Sequence, residues 1–263
     1  MKIQLVLLAG ITLMLGCLSC TKTRDSNADL QTLIVGTNAN YPPFEFLDEN
    51  QKVVGFDPEL ADLISKKLGR KLLIKEFDFD SLILALKQGK IDLIISGMSI
   101  TEDRQKEINM IPYQGSEVKA LSFLFWDQKP ETATTLAQLA THLGQGEVTV
   151  QAGTFMEEFL TQCPEAFKIK SFAGPTEQLL DLKYKKSKSA LVELAIADEL
   201  MRLNPELKRV DIPLPKNKQV LGNGIGLTKT NTDLQTKVSE IISEFKKDGT
   251  IQSLEKKWIG TSS

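Results

Sequence analysis

Ile91-Asp92-Leu93-Ile94-Ile95-Ser96-Gly97-Met98-Ser99-Ile100-Thr101-Glu102-Asp103-Arg104 is the stretch whose reading decides the fold. Ile91 to Ile95 is a short apolar run of the kind that makes a buried strand. Thr101 is placed to cap a helix whose first turn holds Arg104. Ser96, Ser99 and Arg104 then converge on the carboxyl end of that strand. Hydroxyls, free helix N–H groups and a forked guanidinium together suit a small carboxylate. The same residues also make an ordinary strand–helix turn with a solvent-facing arginine, so the rest of the chain has to choose between them.

Upstream, Leu33-Ile34-Val35-Gly36 reads as a first strand, followed by Thr37-Asn38-Ala39-Asn40-Tyr41-Pro42-Pro43-Phe44-Glu45-Phe46. Pro42-Pro43 excludes regular helix and restrains this loop. Tyr41 and Phe44 serve there either as a ligand-facing aromatic wall or as a small hydrophobic anchor. In Asp57-Pro58-Glu59, Asp57 is placed to cap a helix, Pro58 suits its first position, and Glu59 puts charge where the helix end favours it. Leu60, Leu63, Ile64 and Leu68 form its apolar stripe, and Gly69 stops it. Leu72-Leu73-Ile74 begins a second strand, and Phe79 to Lys87 a second helix that ends at Gly89. The order β-α-β-α-β favours parallel strands with covering helices.

Downstream, a strand from Val118 to Trp126 follows a break at Pro112, and the pattern restarts. Val148-Thr149-Val150, the turn Gln151-Ala152-Gly153-Thr154 and a helix from Phe155 to Leu160 repeat the first strand and its turn. Thr176 to Leu182 and Lys188 to Glu193 repeat Phe79 to Ile95. The repetition lies in element order and length, and it implies two similar α/β lobes with a cleft between them. Leu221-Gly222-Asn223-Gly224-Ile225-Gly226-Leu227 is a glycine-punctuated strand whose glycines do not match a phosphate-cradling fingerprint. Leu234, Val238, Ile241, Ile242 and Phe245, then Ile251, Leu254 and Trp258, have helical spacing and are expected to cover the first lobe. The chain therefore crosses between lobes twice, near Phe125-Trp126-Asp127 and again from Pro215 to Val220. Residues 31–124 plus 222–263 form lobe 1, and residues 125–221 form lobe 2.

The chain of 263 residues opens with a leader. Met1-Lys2 precedes the apolar run Ile3 to Leu15, which is too short for a comfortable membrane span and has secretory-signal character. Residues 1–16 are the signal peptide, and Leu13-Met14-Leu15-Gly16-Cys17 resembles a bacterial lipoprotein signal, with Cys17 as the lipid-attachment site. Cys20 is a rival with a poorer lead-in, and cleavage without lipid is the alternative. Residues 17–30 are polar, without period, and read as a tether. With 34 acidic and 32 basic residues and a formal net charge of −2, nothing favours nucleic acid as a partner. Cys163 cannot build a disulfide scaffold, so each lobe needs its own apolar core. The single histidine, His142, gives little material for a histidine-rich metal site or a conventional Ser-His-acid triad. It reads as a surface residue near Gly144-Gln145-Gly146. No nucleophile, metal cluster or cofactor motif stands out; no catalytic residue, metal site or cofactor is expected.

A zwitterionic amino acid needs fixed donors at its carboxylate and an acceptor, ideally an anion, at its ammonium. Arg104 can donate two parallel bonds, each worth about 1.5–3 kcal/mol when charge-assisted. These must offset several kcal/mol of desolvation, so they set orientation more securely than net affinity. Gly97 admits close backbone approach, and Thr154 could bond the same carboxylate from the second lobe. Glu193, directly after an apolar strand, is the second-lobe candidate for the ammonium. It also fits an ordinary exposed acid, and Asp198 is a nearby alternative.

With these pieces in order, the chain resembles the extracytoplasmic polar amino-acid-binding proteins of ABC importers from roughly Leu33 to Trp258. The resemblance rests on Gly36 to Phe46, Val54-Gly55-Phe56-Asp57-Pro58-Glu59-Leu60, Ser99 to Arg104 and Asp248-Gly249-Thr250. It is greatest to arginine-binding members of chlamydial type. It implies a two-lobed periplasmic-binding-protein fold with two interlobe crossings (type II), closing on a free amino acid and presenting it to ABC permease subunits. Carried over, Arg104 binds the α-carboxylate with Ser99 and Thr154. The main chain near Ser96 and Gly97, with Glu193, binds the α-ammonium. Tyr41 and Phe79 sandwich the side chain, and Asn38 and Glu45 face its far end. Gly97 stands where relatives often have serine, and Glu193 replaces the usual aspartate. Stacked aromatic faces and Glu45 favour arginine, with glutamine, histidine and lysine open. A monomer in the periplasm, lipid-anchored and open to surface exposure, is the expected setting. A periplasmic dehydratase or lyase acting on a small carboxylate is one alternative; a ligand-sensing or surface-adhesion lipoprotein is the other.

Overall fold

The structure is a computed structural model describing residues 32–115, 117–144, 146–163 and 166–260. The leader and the whole tether, with Cys17 and Cys20, lie outside the described residues. Strand β1 (Thr32–Thr37) leads through the short strands β2 (Asn40–Tyr41), β3 (Glu45–Leu47) and β4 (Val53–Val54) into helix α1 (Phe56–Lys67). Then come β5 (Lys71–Glu76), a 3-10 turn at Phe79–Ser81, α2 (Leu82–Lys87), β6 (Leu93–Ile94), β7 (Ser99–Ile100), α3 (Glu102–Glu107) and β8 (Asn109–Gln114). The second half holds β9 (Ala120–Trp126), α4 (Leu136–Leu143), β10 (Glu147–Gln151), α5 (Phe155–Thr161), β11 (Lys168–Phe172), α6 (Pro175–Lys183), β12 (Ser189–Val192), α7 (Leu194–Leu203) and β13 (Leu207–Pro213). Strand β14 (Leu221–Leu227), α8 (Thr232–Lys247) and α9 (Thr250–Trp258) close the chain.

These elements make two main sheets. In the first, the order is β5-β1-β6-β14-β7, with β8 also paired to β14. In the second it is β11-β10-β12-β9-β13. Each has a parallel trio in which the first strand lies between the second and third: β1 between β5 and β6, β10 between β11 and β12. Beside each trio runs one antiparallel strand, β14 in the first sheet and β9 in the second. The repeat read from element order is thus a repeat of strand order, and it aims two sets of strand ends at one another.

Each lobe buries an apolar core, and that of the first continues across the boundary to Leu124, Val192, Ile196 and Leu207 of lobe 2. Leu33, Val35, Phe56, Leu60, Ile64 and Leu93 pack with Val238, Ile242 and Phe245 of α8 in the first. Phe123, Val148, Val150, Leu160, Phe167 and Leu191 pack in the second. A fully buried side chain of this size contributes about 1.5–3 kcal/mol, enough to sustain each lobe without disulfides. The C-terminal helices lie against lobe 1, where Lys257 Nζ and Trp258 Nε1 both donate to Glu59 Oε2, at 2.6 and 2.7 Å.

Three local readings change. The first crossing falls between β8 and β9, not near Phe125-Trp126-Asp127, because β9 pairs with β12 and β13 along its length. Residues 120–124 therefore belong with lobe 2. The run from Ala120 to Phe125 is apolar on both faces, so composition marks no boundary inside it; the break lies upstream at Gly115. Pro112 does not end its strand: it sits within β8 opposite Gly224, beside a register shift in the pairing, on an edge strand that needs no second partner. Asp57 does not cap α1, whose cap position is Gly55; its carboxylate is turned into the protein instead.

The second crossing, from β13 to β14, runs beside the first. Val118 N–H donates to Val220 O at 2.7 Å, and Leu214 N–H donates to Lys119 O at 2.7 Å. The two crossing segments are thus bonded to each other and form one paired connection between the lobes.

Candidate functional site

The carboxyl ends of β1, β6, β10 and β12 meet between the lobes. Tyr41, Phe79, Gly97, Ser99, Arg104, Gln151, Thr154, Phe155 and Glu193 line the space between them. It measures about 10 Å3, room for about one water. The lobes are closed on each other and their polar groups satisfy one another.

Thr101 caps α3, its hydroxyl accepting from Arg104 N–H at 3.2 Å. This fixes the start of the arginine side chain. Its guanidinium then spans the cleft: Nη1 donates to Ser99 O at 2.7 Å and Nη2 to Gly153 O of lobe 2 at 3.0 Å. The guanidinium carbon lies 5.3 Å from the centre of the Phe79 ring, in cation–π contact. Burial lowers the Arg104 pKa to about 10, with Glu193 and Glu158 opposing the shift, so the group stays charged at neutral pH.

Glu193 follows the last residue of β12, at the cap position of α7. Its Oε1 accepts from Ser99 Oγ at 3.0 Å. Burial raises its pKa to about 7, against the opposing pull of the Ser99 hydroxyl and Arg104. One cation from lobe 1 and one ionisable acid from lobe 2 therefore converge on Ser99. Thr154 caps α5, its hydroxyl accepting from Glu157 N–H at 3.3 Å and donating to Gln151 O at 2.8 Å. Gly153 packs so closely on lobe 1 that a Cβ there would come within 2.6 Å of the Asp80 Cβ. Its φ of 73° also belongs to glycine.

Three expected site residues lie behind this surface. Glu45 is 1% exposed and does not reach the cleft; its Oε1 accepts from Ser96 Oγ at 3.0 Å. The β2–β4 sheet folds it inward beneath Gly97, toward Asp57. Ser96 is likewise buried, its hydroxyl also accepting from Asn38 N–H at 2.9 Å. Asn38 donates through Nδ2 to Phe77 O at 2.8 Å, and its Oδ1 accepts from Gln151 Nε2 at 3.1 Å across the lobe boundary. The N–H of Gly97 also points away from the cleft, donating to Asp57 Oδ2 at 2.6 Å. The Tyr41 ring stacks on Phe44, with centroids 6.1 Å apart, so this aromatic pair is wall and anchor at once.

Gln151 and Phe155 were missed as lining residues. Gln151 ends β10 and Phe155 opens α5, on either side of the turn repeated from the first strand. That internal repeat was the available signal. Asp198 lies apart from the cleft, paired with Arg209.

Residues 33–261 match the bacterial extracellular solute-binding proteins, family 3. A Chlamydia trachomatis protein named probable ABC transporter arginine-binding protein ArtJ is 43% identical, over 92% of this chain and 90% of its own. Among solved structures, a mutant of ArgBP from T. maritima superposes with a TM-score of 0.78 at 32% identity, covering 90% of this chain and 99% of that one. An ancestral arginine-binding protein bound to arginine gives 0.77 at 33%, covering 87% and 98%. With two α/β lobes, paired crossings and a polar cleft at the strand ends, this chain belongs to the bacterial extracellular solute-binding proteins of family 3.

Proposed function

We propose that this protein captures a free polar or basic L-amino acid, with arginine the leading ligand, and delivers it to an ABC permease outside the cytoplasm. The observation that carries the reading is the convergence of Arg104 and Glu193 on Ser99 from opposite lobes. A guanidinium and a carboxylate set against each other match the two charged ends of an amino acid. In this reading Arg104 and Ser99 take the α-carboxylate, and Thr154 joins them by turning its hydroxyl from Gln151 O to the ligand. Glu193 takes the α-ammonium, and Tyr41 and Phe79 flank the side chain.

The closed geometry adds a condition. Arginine is far larger than one water, so entry requires the lobes to part along the bonded crossings. Parting releases the Arg104–Gly153 and Ser99–Glu193 bonds. The ligand then replaces internal partners with its own ends, so its net gain is the difference between two sets of charged contacts. Capture and release are enough for this role, without turnover. The arginine preference is supported by the relatives and by the aromatic rings, not by Glu45, which is buried elsewhere.

The leader extends the proposal to a lipoprotein cleaved before Cys17, lipid-anchored, monomeric, without a role for nucleic acid, and open to surface exposure. Mass spectrometry of the membrane-extracted protein reads the anchor directly. Calorimetric titration of the mature protein against the common amino acids tests the function. Saturable arginine binding that is largely lost in Arg104→Ala is expected, and failure to bind any amino acid overturns the reading.

A further inference from the structure

We infer that Glu45 and Asp57 share one proton beneath the cleft floor and act through it as positioning residues, holding the Ser96–Gly97 segment in the conformation that the ligand meets. This rests on the reading that the cleft binds an amino acid beside Gly97.

Both carboxyls are 1% exposed, and they meet consecutive residues of one turn, Glu45 Oε1 on Ser96 Oγ and Asp57 Oδ2 on Gly97 N–H, so that each acts on the ionisation of the other. Two ionised carboxylates cannot sit together in such a place; a single shared proton turns repulsion into a bond. The hydrogen bonds indicate where the proton resides. Asp57 accepts from Gly97 N–H at 2.6 Å, and the Tyr113 hydroxyl lies 2.7 and 2.8 Å from its two oxygens. That is the environment of the ionised partner. Glu45 Oε1 accepts from Ser96 Oγ, whereas its buried Oε2 has no partner in the described residues. A proton on Oε2, donated to Asp57, satisfies that orphan and completes the set.

Among the described residues, the groups that face the pair contribute no cation. Tyr113 reaches it from β8, Tyr41 from β2 and Glu193 from across the cleft, beyond Ser96 and Gly97 of the β6–β7 turn. Burial pushes Asp57 up to about 6 and Glu45 well above the usual carboxylate range. Both tyrosines are pushed up as well, and stay neutral. The pair therefore carries one charge and one proton around neutrality.

The floor is tied to this proton by geometry. Gly97 has a φ of 51°, suited to glycine, and its N–H is turned down onto Asp57. Ser96 is held by Glu45 and in turn holds the Asn38 N–H, while the Asn38 side chain holds Gln151 of lobe 2. One hydrogen-bonded line thus runs from the acid pair to the opposite lobe. Loss of the Glu45 proton places a second negative charge in the pair and loosens Gly97, Ser96 and the Asn38–Gln151 contact together.

Infrared difference spectra of the full mature protein at pH 7 should show the C=O stretch of a protonated carboxylic acid that disappears in Glu45→Gln. Calorimetry with arginine across pH should show Glu45→Ala weakening binding by about tenfold or more. Glu45→Gln, which keeps both a donor and an acceptor, should recover most of that loss. It should also remove an alkaline decline that reaches up to about tenfold per pH unit in the native protein. If the spectrum holds no protonated acid that depends on Glu45, or if Glu45→Gln leaves the alkaline profile unchanged, the inference is overturned. Should arginine fail to bind the native protein, the functional reading falls, while the infrared signal still decides whether the proton is shared.

Discussion

The two walls of the cleft are built differently. The lobe 1 wall rests on hydrogen bonds made within its own lobe: Gly97 on Asp57, Ser96 on Glu45, and Asp57 on Tyr113. Polar groups of the lobe 2 wall find partners across the boundary. Glu193 accepts from Ser99, Gly153 O from Arg104 Nη2, and Gln151 donates to Asn38. The Ser96–Gly97 floor of lobe 1 therefore keeps its bonds when the cleft opens. Each bond across the boundary is instead lost to both its partners, leaving Arg104 and Ser99 of lobe 1 and Glu193 and Gly153 of lobe 2 to find new ones. On the proposed amino-acid-binding reading, ligand docks first on the preformed lobe 1 floor and lobe 2 closes over it as a latch.

The strongest way to break this contrast is Arg104→Ala, which removes the charged anchor of the docking wall. Truncating one partner of a buried, hydrogen-bonded charge pair costs about 2–5 kcal/mol, so arginine affinity should fall by about 30-fold or more in calorimetry. A loss under about threefold would deny lobe 1 its anchoring role. Glu193→Gln attacks the latch. It should weaken binding by about 1.5–3 kcal/mol, chiefly through faster ligand release in stopped-flow measurements.

The pH dependence sharpens the same comparison. Glu193 sits at about 7 in this closed structure, above the ordinary carboxylate value, through burial. Its contribution to the stability of the closed protein is full below the unfolded carboxylate value and is lost as pH rises through about 7. Pairing with an ammonium needs the ionised acid, so arginine affinity should move the other way, falling by up to about tenfold per unit below pH 7. Thermal unfolding without arginine, set beside calorimetry across the same pH range, should show the two opposed trends. Glu193→Gln should flatten both. The smallest effect belongs to Gln151→Ala. Losing the amide bond to Asn38 should cost about 0.5–1.5 kcal/mol of closure, and weaken arginine binding by about two- to tenfold.

Much of this arrangement is legible in the sequence. Ser99 opens a strand, Arg104 lies in the first turn after a cap, Thr154 is a cap and Glu193 follows a strand end, positions that local rules assign without knowledge of distant neighbours. Asn38, Glu45 and Ser96 are not legible in this way, because their orientation depends on contacts 39 to 113 residues away. A carboxylate in Pro43-Phe44-Glu45-Phe46 looks the same whether it faces a ligand or another acid. The first crossing was misplaced for a related reason. An apolar strand such as Ala120 to Phe125 shows that it is buried, but not in which sheet.

Periodicity, caps and the internal repeat were enough, by themselves, to determine two α/β lobes and a charged strand–helix turn at the cleft, since element type and order follow from local pattern. The place of the first crossing was beyond them, since it depends on which distant strands pair. Only the tertiary structure decided which polar groups face the cleft and which lie beneath it. A buried acid is admissible only where the fold supplies its donors, and those donors come from strands that the chain brings together late and from afar.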